Sequence, residues 1–133
     1  MLAIEQALST NDDTDHGVDG IDSFLRRYPW IDMCIESYDG HTLRVVGCMS
    51  ELEAPAVQLV FLDVQCIASR SDWRTDTSRS VFRDVTDDTA FNQKFHIEQG
   101  YRVFELVSED TEANMRFVAK EVRLDVDRMP PEP

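Results

Sequence analysis

Basic residues are scarce in this chain: 13 Lys and Arg stand against 26 Asp and Glu in 133 residues, a formal net charge of −13. A field of that sign repels phosphate backbones and anionic headgroups, which argues against nucleic acid and membrane surfaces as partners. Cysteine is scarcer still. Cys34, Cys48 and Cys66 form an odd set without a Cys-x-x-Cys, so a secreted disulfide framework is not indicated. No apolar run approaches the roughly 20 residues of a membrane helix. The start, Met1-Leu2-Ala3-Ile4-Glu5, lacks the basic and apolar regions of a signal peptide. The expected compartment is the cytoplasm.

Signatures of chemistry are also missing. The five glycines are scattered, so no phosphate loop is formed, and no Gly-x-Ser-x-Gly turn presents a serine. His16, His41 and His96 lie too far apart for a local zinc set. Residues 11–22 have the composition of a calcium loop but not its order. Starting at Asp12 places Gly17 correctly but puts Thr14, His16 and Ser23 at ligand positions. Cys66 closes an apolar run and reads as packing rather than as a nucleophile. The expectation is therefore no catalytic residue, no cofactor and no metal.

What is present is an apolar content of 42% in a chain of single-domain length, enough for a core without staples. The chain divides into an acidic N-terminal arm (1–20), one α+β domain (21–127) and a Pro-rich tail (128–133). Residues 2–8 can form a helical turn or two, and 9–20 read as a polar connector. Asp19 can cap a helix with the stripe Ile21, Phe24, Leu25 and Tyr28, ending in Arg26 and Arg27 before Pro29. Trp30 reads as core. Asp39-Gly40 marks a hairpin. A three-residue loop places Ile35 opposite Leu43 and Met33 opposite Val45, so that one face is apolar. In that register Cys34 faces Arg44, and Cys48 lies about 13 Å further along, out of disulfide reach.

Residues 56–67 carry apolar side chains on both faces, as a central strand does. Residues 68–78 read as a polar loop. Val81, Phe82 and Val85 suggest a short strand, and 86–95 a helical turn capped by Thr86 or Asp87. Two more strands follow, 101–107 and 115–126. They are joined by the acidic tip 108–112, and a parity change at Lys120-Glu121 suggests a bulge. The expected fold is α+β: an antiparallel sheet of about five to six strands with an N-terminal helix packed on it. The core is expected to include Ile21, Phe24, Leu25, Ile35, Leu43, Val45, Leu59, Phe61, Val103, Phe104 and Phe117.

The order of these segments has a resemblance. Tyr28-Pro29-Trp30-Ile31-Asp32 leads into the hairpin, and Val57-Gln-Leu-Val-Phe-Leu-Asp-Val64 follows. Tyr101-Arg-Val-Phe-Glu-Leu-Val-Ser-Glu-Asp110 and Met115-Arg-Phe-Val-Ala119 close the chain. Over residues 21–126 this resembles small β-rich immunity proteins of bacterial polymorphic-toxin systems. The resemblance implies a protein that binds and blocks a toxin, with no catalytic residue to carry over.

The charge is unevenly spread: residues 81–110 hold seven acids against three bases. Asp84, Asp87 and Asp88 fall in one loop, and Glu109, Asp110 and Glu112 at a hairpin tip. Trp73 either covers the end of the sheet or stands as an exposed aromatic anchor in its loop; on the second reading it joins these carboxylates as the candidate partner-binding residues. The leading expectation is a non-enzymatic protein-binding module, an immunity-type inhibitor of a basic toxin partner. Two alternatives are a small-ligand-binding domain or enzyme with an unrecognised pocket, and an accessory protein acting as a homo-oligomer through a sheet edge.

Overall fold

Eleven elements follow one another in a computed structural model that describes residues 12–49 and 56–126. They are α1 (Asp12–Leu25), β1 (Ile31–Tyr38), β2 (Thr42–Cys48), β3 (Val57–Leu62), β4 (Cys66–Ala68), β5 (Asp72–Thr75), β6 (Phe82–Asp84), α2 (Thr89–Lys94), β7 (Arg102–Leu106), β8 (Met115–Ala119) and β9 (Glu121–Val126). The expected turns at 2–8 and the Pro-rich tail lie outside the described residues. The class is α+β with antiparallel pairing, but the strands form two sheets, ordered β5-β1-β2-β3-β9 and β4-β8-β7-β6.

The division into two sheets explains two features of the sequence. β3 does not run on to residue 67. Asp63 takes a left-handed backbone (φ 58°) and turns the chain into β4 of the other sheet. Likewise the parity change at Lys120 is not a bulge: β8 and β9 belong to different sheets. The two crossings lie side by side, with Lys120 N–H donating to Leu62 O (3.0 Å) and Gln65 N–H to Val118 O (2.8 Å).

The inner faces meet in an aromatic cluster. Phe61, fully buried, lies 5.0 Å from Phe117, 5.7 Å from Phe104 and 6.4 Å from Phe82, centroid to centroid. Of the expected core, Phe24 and Ile35 are only partly buried; the others are buried. Trp30 is also half-buried, and instead of joining the core it is covered by the Arg74 guanidinium at 4.7 Å.

The N-terminal helix begins at Asp12, not after Asp19, so residues 12–20 are not a loop. Gly17 breaks it with a non-helical φ of 55°, a conformation that glycine adopts without a Cβ penalty. Its helical span ends at Leu25, so Arg26 and Arg27 follow it and do not form its last turn. Ile21 and Leu25 are buried, and the helix packs on β6 and β9. Asp22 fastens it, its carboxylate accepting the N–H groups of Val81 (2.7 Å) and Phe82 (2.9 Å).

The hairpin register differs from the expected one by two residues. Tyr38 faces Leu43, and a bulge at Glu36 then places Ile35 opposite Val45 and Met33 opposite Gly47. The Asp39 carboxylate accepts from the N–H groups of His41 (2.9 Å) and Thr42 (2.7 Å), which tightens the turn. A shift of two preserves the facing, so the apolar side still points inward. It does bring Cys48 opposite Asp32 and Cys34 opposite Val46. The two cysteines are therefore diagonal neighbours on adjacent strands, not residues 13 Å apart.

Candidate partner-binding groove

Asp88 rather than Thr86 or Asp87 caps α2, accepting from Phe91 N–H at 3.0 Å. Phe91 and Phe95, four residues apart, share one helix face with centroids 4.7 Å apart. So short a helix is not stable alone. Arg116 of β8 holds it: its guanidinium reaches Asp88 at 2.8 Å and lies 4.9 Å over the Phe91 ring. The same guanidinium bonds Glu105 at 2.9 Å, and Arg83 takes the other oxygen of Glu105 at 2.9 Å. Glu105 is only 5% exposed, so this is a paired buried charge. Burial alone would lower the pKa of Arg116, but Asp88 and Glu105 outweigh it and hold the guanidinium charged. The Arg116 guanidinium first, and then the Phe91 N–H, hold Asp88 below the usual carboxylate range.

The tip that joins β7 and β8 is ordered by its own side chains. The Asn114 side chain accepts from Ser108 N–H (3.1 Å), and the Thr111 hydroxyl donates to Ala113 O (2.7 Å). Between this tip and α2 lies a groove of about 660 Å³. Phe91, Phe95 and Lys94 form one wall, Thr111 and Ala113 another, and Met115 and Arg116 contribute to its lining. Phe95 is 40% exposed, one of three large apolar side chains so exposed among the described residues.

The candidate carboxylates thus sort into two groups. Asp84, Asp88 and Asp110 are fasteners. Burial pushes the Asp84 carboxyl up, but the Thr86 hydroxyl and N–H and the Arg102 guanidinium outweigh it and hold it below the usual range. Asp110 accepts from Arg74 N–H at 2.8 Å. Asp87, Glu109 and Glu112 are exposed, and no side-chain hydrogen bond or ion pair holds them among the described residues. The groove lies between the elements that carry the two acidic loops, with Asp88 capping α2 on one side and Glu112 between lining residues Thr111 and Ala113 on the other. The candidate carboxylates do not line it, and its charged lining residues are Arg70, Lys94, Glu105 and Arg116.

Trp73 is not an exposed anchor. Residues 72–75 form edge strand β5 rather than a loop, with Asp72 and Arg74 outward and Trp73 and Thr75 inward. Trp73 is 3% exposed and packs on Phe117 at 6.1 Å, so no partner reaches it without parting the sheets. The residue that sequence reasoning missed is Phe95. Its spacing from Phe91 was the available signal, hidden in a segment whose other residues are polar.

A second groove, about 670 Å³, runs over β5, β1 and β2 and is lined by Asp32, Cys34, Cys48, Asp72 and Arg74, among others. Arg74 is consumed there by Asp32 at 2.7 Å. Burial first, then the neighbouring Cys48, Asp72 and Glu36, push the Cys34 thiol up, and burial does the same to Cys66. Neither is an activated thiolate at neutral pH. Among the described residues, no group of three His, Cys, Asp or Glu is placed to hold a metal, and no helix is long and apolar enough to cross a membrane.

No family model matches the chain, and neither curated proteins nor solved structures show significant similarity to it.

Proposed function

We propose that this chain is a non-enzymatic binding module of the immunity type, acting in the cytoplasm, and that it docks a basic protein, a toxin domain, on the groove between α2 and the 108–114 tip. The observation that carries this reading is a groove that exposes an aromatic ring, Phe95, and is flanked by α2, which follows the acidic 84–88 loop, and by the acidic 108–112 tip. Asp87, Glu109 and Glu112 supply long-range attraction on a chain of charge −13. Phe95 supplies apolar area at the contact. Beneath the groove, charges are paired in the chain Asp88–Arg116–Glu105–Arg83. That arrangement suits a rigid platform better than acid–base chemistry, which needs a group poised to exchange a proton.

The test is affinity capture from the source cells at low and high salt, followed by binding kinetics with the captured protein. A basic partner is expected, released by salt. Asp87→Asn, Glu109→Gln and Glu112→Gln together should slow association about tenfold and flatten its salt dependence. Phe95→Ala should act on dissociation instead, by about tenfold or more. Unchanged rates in both variants would refute the groove as the docking site.

A further inference from the structure

The two sheets have four edges, and three of them are protected. β4 and β6 are three residues each, too short to template a partner. The start of β6 is also plugged by the Asp22 carboxylate, which takes the N–H groups of Phe82 and of the preceding Val81. On β5, Arg74 has its outward N–H bonded to the Asp110 carboxylate and its C=O to Glu109 N–H at 2.9 Å. β9 is the long edge: α1 packs against it, but it has six residues and, among the described residues, its backbone pairs only with β3. Half of its N–H and C=O groups point away from β3.

The sequence of β9, Glu-Val-Arg-Leu-Asp-Val, complements itself. We propose that a second copy of this chain pairs antiparallel with β9, in the register that places Leu124 opposite Leu124. In that register Arg123 faces Asp125 twice, once on each side of the twofold axis, and Val122 faces Val126 twice. Within residues 122–126 all five pairs join like character to like or charge to opposite charge; the register also sets Glu121 against the acidic position 127, one repulsive pair on each side of the axis. The five pairs also cover Val126, which is 38% exposed in the single chain. A shift to Arg123 opposite Arg123 sets Glu121 against Asp125, so every charged pair repels. Centring on Val122 keeps an attractive Glu121–Arg123 pair but overlaps only three residues of each strand and leaves Val126 uncovered. Residues i and j share parity in the favoured register, so the outward hydrogen-bonding groups of the two strands meet whichever set they are. The interface is isologous, as a closed twofold dimer requires, and it lies apart from the groove proposed for the basic partner.

The test is sedimentation equilibrium across a concentration series of the full chain at about 0.15 M salt, which screens the overall repulsion between two acidic protomers. A reversible dimer is expected. Arg123→Glu and Asp125→Lys, each alone, should raise its dissociation constant about tenfold, and the double swap should restore it. Val126→Lys, at the strand end, should weaken it as well. All four positions of β9 that carry charge or end the strand are exposed, and thermal melts of each variant check that the fold is kept. A wild type that stays monomeric, a D125K variant that associates as the wild type does, or a double swap that fails to restore association would each overturn the proposal.

Discussion

Replacing Arg116 by Met leaves the hydrocarbon but removes the charge that ties α2 to the sheets. Two partners are affected. Glu105, 5% exposed, keeps only Arg83, and Asp88 loses its ion pair. Breaking a buried pair outright costs about 3–5 kcal/mol because a desolvated charge is stranded. Arg83 remains on Glu105, so the loss there is about 2 kcal/mol, and the more exposed Asp88 contact adds little to it. That loss should lower Tm by about 6 °C in a domain of this size. Glu105→Gln made together with R116M removes the stranded charge and should recover about 1 kcal/mol or more. The pH profile gives a second readout. Asp88 is held below its ordinary value by Arg116, so its contribution is present above the usual carboxylate range and lost as pH falls through its lowered value. In R116M that acid limb should flatten. Urea titration showing a loss below 1 kcal/mol, or a double variant no more stable than R116M, would refute the account of this network.

Phe61→Ala opens the centre of the aromatic cluster and should cost about 3–5 kcal/mol by denaturant titration. Gly47→Ala should destabilise by about 1–3 kcal/mol, because a Cβ there would meet Ile31 Cγ2 at 2.7 Å, Val57 Cγ1 at 2.8 Å and Met33 Sδ at 2.9 Å. All three cysteines are thiols, so intact mass under non-reducing conditions should show no loss of two hydrogens.

Much of the fold can be read from periodicity, and the failures have physical causes. β3, β7 and β8 are legible because runs such as Val57–Leu62 carry apolar side chains on both faces. What alternation cannot say is which sheet a strand joins, so the crossings at Asp63 and Lys120 look like strand continuation and a bulge. The hairpin faces are legible, but the bulge at Glu36 has no signature, and it moves the register by two. α1 is hidden because Asp and Gly are poor helix formers, while its hold on the sheets comes from Ile21, Leu25 and Asp22. Of the candidate site, the acidic loops are legible as charge. The groove wall beside them depends on Arg116, whose three contacts come from residues 11 to 28 positions away.

The most direct test of the binding account is hydrogen exchange of the chain with and without its captured basic partner. Amides of residues 87–97 and 108–116 should gain protection in the complex while those of the β5-β1-β2 outer face stay unchanged. Protection confined to that outer face, or to β9, with none along α2 and the tip, would contradict it.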